Sequence, residues 1–236
     1  MVQLSTPDSI GAILKDAAGV AGNIFAFGLF VSPIFTFRRI IRNRSTEQFS
    51  GLPYVYALLN CWICLWYGTP LISSDNTMVM TVNAMGSVFQ LVYIILFIIY
   101  ADKRKKVRMC GLLLGEVILF AIIVVGSLQI HNPEARKIFV GVLSGITLIS
   151  MFASPLFIIT LVIRTRSVEF MPFYLSLSTF LMSISFFLYG VLNGDIFIFI
   201  PNSIGTLLGI TQLVLYCYYK NMGASTLREP LIESYS

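Results

Sequence analysis

The sequence predicts an all-α membrane protein whose seven transmembrane helices form two parallel three-helix repeats joined by a linker helix, a 3+1+3 arrangement. Three observations carry this expectation. Hydrophobic residues make up 57% of the 236 residues and charged residues only 11%, too few to cover a water-soluble domain of this length. Seven apolar stretches approach the ~20 residues that cross a bilayer as a helix. Finally, residues 32–47, "SPIFTFRRIIRNRSTE", return at 154–169 as "SPLFIITLVIRTRSVE".

The first apolar stretch covers residues 12–36, with Lys15 and Asp16 near its outer edge. No positively charged leader with a cleavage site precedes it, so it is expected to stay as a span. The second (52–71) opens on Pro53, the third (79–100) carries Asn83, and the fourth (109–127) carries Glu116. The fifth covers 138–162, the sixth (171–190) opens on Pro172, and the seventh (197–219) carries Asn202. The expected units are therefore a first repeat over 1–101, a basic loop and linker helix over 102–133, a second repeat over 134–220, and a cytoplasmic tail over 221–236.

Lysine and arginine in short loops set the orientation. Arg38, Arg39, Arg42 and Arg44 follow the first span, and Lys103, Arg104, Lys105, Lys106 and Arg108 follow the third. Arg164 and Arg166 follow the fifth, and Lys220 and Arg228 lie in the tail. These alternate segments are expected to face the cytoplasm, which leaves the N-terminus outside and the C-terminus inside. The basic balance thus reflects topology and implies no nucleic-acid partner. The "NRS" at Asn43 falls on the cytoplasmic side and is not expected to be glycosylated.

The two copies match far beyond the opening phrase. At a shift of 122, Phe30 meets Phe152, Pro33 meets Pro155, Arg42 meets Arg164, Glu47 meets Glu169, and Tyr67-Gly68 meets Tyr189-Gly190. Past a shorter outer loop the shift becomes 119, pairing Asn83 with Asn202, Gly86 with Gly205, and Tyr100 with Tyr219. The fourth span has no twin. One unmatched crossing between two three-span units returns the chain to its starting side, so the units enter the membrane the same way round. Parallel repeats of this kind frame a pathway, with the substrate site near the midplane of their interface.

Four stretches, "FVSPIFTFRRIIRNRSTEQFSGLPY", "LLNCWICLWYG", "FASPLFIITLVIRTRSVEFMPFYLSL" and "IPNSIGTLLGITQLVLY", resemble the SWEET family of sugar transporters, in its plant form. The resemblance covers nearly the whole chain. It implies facilitated, bidirectional movement of a mono- or disaccharide by alternating access, in a lipid bilayer, as a homo-oligomer or a hetero-oligomer with related transporters. No cofactor or metal is implied.

A sugar presents hydroxyls that donate and accept, together with apolar C–H faces. Carboxamides match the hydroxyls because each offers donors and an acceptor, which makes the repeat-paired Asn83 and Asn202 the candidate binding pair. A helix-to-helix hydrogen bond is the alternative role for them. Cys64 and Phe186, paired at the shift of 122, occupy the positions where the resemblance places the residues framing the sugar, and the bulk of Phe186 favours a hexose such as glucose over sucrose. Ordinary packing would also use these residue types.

Pro33 and Pro155 are expected at the cytoplasmic ends of the first and fifth spans, with Pro53 and Pro172 opening the second and sixth. Each removes a backbone donor and loosens its helix, and the resemblance makes the four a cytoplasmic hinge. Pro53 and Pro172 are 119 apart although their flanks align at 122, so their equivalence needs a compensating gap. On the opposite face Tyr67, Tyr189 and Asp195 are candidates for a constriction closed by phenol–carboxylate hydrogen bonds, although tyrosine at that depth also suits the interfacial aromatic belt.

The repeats carry no ionisable residue near their span centres, which predicts a uniporter rather than an ion-coupled carrier. Glu116, in the unpaired span, is expected to find a partner or lie near the surface. "CWIC" at Cys61–Cys64 has redox-motif spacing but sits in an apolar span, and the only histidine, His131, has no partner for catalysis, so no enzyme is expected. A rhodopsin-like receptor shares the seven-span topology but not the repeat. A proton-coupled PQ-loop amino acid carrier would place Pro-Gln where this chain has Pro33-Ile34 and Pro155-Leu156. The address is left open between plasma and vacuolar membranes.

Overall fold

A computed structural model describes residues 7–226 of the chain, and the described residues are helical throughout apart from short connections. The tail expected beyond residue 226 lies outside them. Among the described residues nine helices run in order: α1 (Pro7–Val31), α2 (Ile34–Asn43), α3 (Leu52–Tyr67), α4 (Thr77–Tyr100), α5 (Lys103–Gln129), α6 (Pro133–Met151), α7 (Ala153–Thr165), α8 (Phe173–Leu192) and α9 (Ile196–Thr226). Nine helices make seven spans because α1–α2 and α6–α7 are each one crossing with a break. Six of the crossings are long and apolar enough to traverse a membrane, and the seventh, α3, is a shorter apolar helix of 16 residues.

The breaks follow from proline chemistry. Pro33 has no N–H for the carbonyl of Leu29, which instead accepts from Ser32 N–H at 3.3 Å, tightening the turn. The carbonyl of Phe30 accepts from the Tyr93 hydroxyl at 2.6 Å, the kind of side-chain rescue that apolar surroundings demand. In the second copy the break falls at Phe152, whose N–H reaches the Ile149 carbonyl at 3.0 Å, just before Pro155 in the first turn of α7. Helix continues for 10 residues in α2 and 13 in α7, so both prolines lie roughly two to three turns inside their crossings. They are therefore not at the cytoplasmic ends of the first and fifth crossings, where the sequence reading expected them. Arg44 and Arg166, 122 apart, end α2 and α7 in the left-handed conformation with φ 48° and 52°, a common way to stop a helix.

Pro53 is the second residue of α3, whereas Pro172 immediately precedes α8. Both begin a helix on the basic side, where a missing N–H costs least. They differ by almost a turn in the aligned frame, which accounts for their odd spacing.

Within each repeat the third crossing lies between the other two in contact: α4 packs on α1 and α3, and α9 packs on α6 and α8. Between repeats α1 packs on α8, and α3 packs on α6. Exchanging the repeats exchanges these two contacts, as a pseudo-twofold axis requires. Packing detail obeys the same rule. Gly86 of α4 closes on Phe30 and Cys61, and Gly205 of α9 closes on their repeat partners Phe152 and Ser183.

Linker helix α5 lies against α3 and α4, with a lesser contact to α6. Trp66 Nε1 donates to Ser127 Oγ at 3.0 Å, Trp62 packs on Phe120 with ring centroids 5.4 Å apart, and Lys105 Nζ donates to the Glu47 carbonyl at 2.6 Å. Glu116 sits mid-helix and is half-buried, and its Oε2 is buried with no hydrogen-bond partner among the described residues, so of the two expectations, a partner or a place near the surface, the first is not met for that oxygen.

Two glycines allow the closest helix approaches. A Cβ on Gly68 would stand 2.7 Å from the backbone N of Met80, and one on Gly190 would stand 2.6 Å from that of Phe199. These four positions are repeat equivalents. Because backbone cannot yield as a side-chain tip does, Gly68→Val or Gly190→Val should destabilise the fold by about 1–3 kcal/mol. The check is thermal unfolding of the purified variants in detergent, against Gly28→Val, where a Cβ meets nothing within 4 Å.

Candidate functional site

A cavity of about 300 Å³ lies between the repeats, bordered by α1, α3, α4, α6, α8 and α9. Asn83 and Asn202 both line it, as do Cys64 and Phe186. The four residues expected from sequence to meet a substrate are therefore brought to one space.

The two asparagines are held identically. Asn83 Nδ2 donates to the Val79 carbonyl and Asn202 Nδ2 to the Ile198 carbonyl, each at 2.8 Å and each one turn back along its own helix. Neither bonds to the other repeat. Among the described residues each carbonyl oxygen is without a protein partner, so each amide retains an acceptor and a donor toward the cavity. A helix-to-helix bond between the repeats is not how these residues are used.

Cys64 and Phe186 are both buried. Phe186 presses against Gly22 of α1, where a Cβ would stand 2.7 Å from its ring, and this wedges the ring into place. Cys64 Sγ lies 3.7 Å from Asn60 Oδ1 on its own helix. Cys61 and Cys64 are free thiols.

Three cavity polar groups escaped the sequence reading. Gln90 lies two turns beyond Asn83 on the same face of α4, and its Oε1 is buried without a partner among the described residues. Asn60 and Ser144 also line the space. The i, i+7 spacing of Asn83 and Gln90 is the signal that marks Gln90. No charged side chain borders the cavity among the described residues.

The end away from the basic loops is closed by a buried polar cluster. Tyr67 Oη donates to the Asp195 carboxylate at 2.6–2.7 Å, and Asn76 Nδ2 donates to it at 2.8 Å. Lys137 Nζ is 3.6 Å away, and the Phe197 N–H donates to the same carboxylate at 3.0 Å. Asp195 is only 2% exposed, so these partners replace the water a carboxylate would otherwise need. Asn76 precedes α4 and Asp195 precedes α9 at the repeat shift of 119. The two helix starts thus bond directly across the pseudo-axis.

Tyr189, the partner of Tyr67, donates to the Asp75 carbonyl at 2.8 Å, beside Asn76. Asn193 Nδ2 donates to Asn76 Oδ1 at 2.8 Å, and Lys15 Nζ reaches Asn193 at 3.4 Å. Tyr67, Tyr189 and Asp195 are therefore in one cluster, joined by Asn76, Asn193 and Lys137, which sequence did not single out. The shift of 119 marks Asn76, whereas Lys137 looked like a loop residue because α6 begins earlier than its apolar run.

The four prolines are outside the cavity lining. On their side of the cavity the polar tie between repeats is Tyr56, whose hydroxyl meets Ser150 Oγ and the Thr147 carbonyl near the break in the fifth crossing. Half-helices α2 and α7 pack on α4 and α9 of their own repeats.

A family model described as "Sugar efflux transporter for intercellular exchange" matches residues 16–105 and 138–224. The bidirectional sugar transporter SWEET2 of Arabidopsis thaliana is 66% identical over 225 residues, which cover 95% of each chain. The chain belongs to the SWEET family. Another member, SWEET2a of Sorghum bicolor, is 56% identical over 219 residues, covering 93% of this chain and 90% of its own. A solved structure of a eukaryotic SWEET transporter superposes with a TM-score of 0.89 at 54% identity, covering 90% of this chain and all of that one. SWEET membership, with these apolar crossings, makes the chain a multi-pass membrane protein of seven helices, and the family consists of transporters, not enzymes.

The polar cluster predicts how the cavity is shielded on that side. Tyr67→Phe removes hydrogen bonds to a buried carboxylate, worth about 1.5–3 kcal/mol. It should raise the rate at which a membrane-impermeant thiol reagent, applied from the Asp195 side, modifies Cys64 by at least roughly tenfold. The measurement needs Cys61, Cys110 and Cys217 replaced by serine; the repeat partner of Cys61 is already Ser183.

Proposed function

We propose that the chain is a facilitative, bidirectional sugar uniporter, with glucose or another hexose favoured over sucrose, and that it works by alternating access around the cavity between its repeats. The observation that carries the reading is the matched pair of asparagines, each with one amide hydrogen tied to its own helix and the rest of the carboxamide facing the cavity. Such a pair meets a sugar ring's hydroxyls from two sides, while Phe186 and Cys64 offer apolar walls to its C–H faces. The volume of about 300 Å³ is at the low end for small-molecule sites, which suits one ring better than two. The printed names of the relatives, bidirectional sugar transporters, point the same way.

In this proposal the cluster of Tyr67, Tyr189, Asn76 and Asp195 is the extracytoplasmic gate, drawn closed. Opening it requires the repeats to part where the cluster joins them, and Pro33, Pro53, Pro155 and Pro172 supply backbone freedom at the cytoplasmic side, where fewer helical hydrogen bonds must break. Sugar bound between the asparagines favours closure on both sides, because each repeat supplies half of the site. The uncharged cavity lining supports a uniporter, with the sugar gradient as the driving force. The same reading places the N-terminus outside and the protein in the membrane as a homo-oligomer.

Flux of labelled glucose and sucrose into and out of proteoliposomes, with and without a pH gradient, tests the proposal. Glucose should move in both directions, faster than sucrose, and the pH gradient should leave the rate unchanged. Movement of neither sugar would overturn the assignment, and acceleration by protons would overturn the uniport mechanism. Asn83→Ala and Asn202→Ala should each abolish glucose flux with membrane expression intact; undiminished flux would return the pair to a structural role.

A further inference from the structure

A second concavity, larger than the one between the repeats, lies on the outside of the fold. A groove of about 1230 Å³ runs along the outer surface of the first repeat between α2 and α4, and its lining includes Arg38, Arg42, Val88, Val92 and Leu96. We propose that this groove is a binding site for an anionic phospholipid, with Arg38 and Arg42 taking the headgroup phosphate and the α4 stripe taking an acyl chain.

The wall chemistry is divided along its length. Val88, Val92 and Leu96 are spaced four apart and form one stripe on α4, with Val88 and Val92 61% and 47% exposed. The floor is firm, since Phe37 and Tyr93 are buried and stacked with centroids 4.7 Å apart. α2 and α4 run in the same direction, so the stripe leads from mid-membrane toward the basic end, where the arginines stand at the mouth. That is the geometry of a lipid lying along a protein, tail inward and headgroup at the interface.

The charges at the mouth are uncompensated in a specific way. Arg39 is committed: its guanidinium bonds Glu47 at 2.5 and 3.2 Å and lies over the Phe49 ring at 5.5 Å. Asn43 bonds the same carboxylate at 2.6 Å, and the Arg39 and Asn43 bonds hold the Glu47 carboxyl below its ordinary range. Glu47 therefore serves the Arg39–Asn43 stripe of α2. Arg38 and Arg42, on the neighbouring stripe, have no acidic partner among the described residues. Like charges four apart on a helix repel, and a phosphate between them would relieve that repulsion with charge-assisted hydrogen bonds.

The second repeat lacks the site. At the shift of 122, Arg38 and Arg39 become Thr160 and Leu161; Arg42 and Arg44 keep basic partners in Arg164 and Arg166, so the pair Arg38–Arg42 has no counterpart. A purely topological role for the arginines would not distinguish the repeats in this way. A second copy of the chain fits the groove poorly, because a twofold contact here would set arginines against arginines. The proposal rests on membrane placement and not on sugar transport, so its test reads bound lipid rather than flux.

The full-length protein in detergent, offered equal phosphatidylserine and phosphatidylcholine, can be weighed with its bound lipids by native mass spectrometry. The wild type should retain phosphatidylserine over phosphatidylcholine, and Arg38→Gln/Arg42→Gln should lower that preference by roughly thirtyfold, the equivalent of about 1 kcal/mol per arginine. Arg38→Lys/Arg42→Lys should keep most of it, and Arg164→Gln should keep all of it. Val92→Trp, which fills the groove without touching charge, should reduce retained phosphatidylserine, and it decides the matter if the double glutamine variant does not fold. An unchanged preference in the variant used, or an equal loss in Arg164→Gln, would overturn the site. So would cross-linking of Val92→Cys to a second copy in phosphatidylserine-containing vesicles, with Cys110 and Cys217 replaced by serine, since that would seat protein in the groove.

Discussion

One buried carboxylate organises the molecule. Asp195 stands at the start of α9, almost without contact with solvent, and its oxygens collect a phenol from α3, an amide from the start of α4, an ammonium from α6 and a backbone N–H from α9 itself. In apolar surroundings such a charge is tolerable only when every lone pair is used. The partners come from both repeats, so satisfying Asp195 also fixes how the repeats meet. The cavity lies beneath this cluster, where the helix starts are drawn together, and its lining mixes uncharged polar groups with apolar and aromatic ones.

The repeat is strict in backbone and loose in side chains. Gly68 and Gly190 make the same approach to Met80 and Phe199, and Gly86 and Gly205 close on equivalent neighbours. Around the cavity the equivalences break: Cys64 corresponds to Phe186, and the position matching Gln90 is Gly209. Tyr93, which rescues a carbonyl at the first break, corresponds to Gln212. The frame needs identical small residues where backbones touch, whereas the lining is free to differ. A ligand in the cavity would therefore meet matched amides but unmatched walls, which suits an unsymmetrical molecule.

Much of this was legible in the sequence, for definable reasons. The crossings were visible because lipid imposes a composition, and the pairing of Asn83 with Asn202 and of Tyr67 with Tyr189 was visible because duplication preserves spacing. Asn76 was hidden although the same spacing marks it, since a polar residue in an outer loop attracts no notice until its partner is seen across the axis. Lys137 was hidden because hydropathy starts the fifth crossing at residue 138, whereas Asn132 caps α6 through the Glu134 and Ala135 N–H groups and begins the helix at Pro133. Pro33 was placed at the end of its crossing because the arginines that follow it dilute the apolar signal while the helix itself runs on; after Pro155 the apolar run continues to Ile163, and it was the repeat pairing with Pro33 that put it at an end. That Glu116 Oε2 has no partner among the described residues was not foreseeable, as it depends on which face of α5 meets its neighbours.

Counted by sequence, the linker helix belongs to neither repeat. Counted by contact, it belongs to the first: Trp62 and Trp66 of α3 hold its far half, Lys105 ties its near end to the loop before α3, and Met109 is buried in the core that contains Phe37 and Phe97. Its contact with α6 is slighter. The symmetric plan of three, one and three thus becomes a lopsided pair of bodies, four helices against three. Any displacement of one body on the other would slide α6 past α5 on one flank, with no matching sliding surface on the other flank. A duplicated fold would then move with unequal halves, one broad and braced, the other slim.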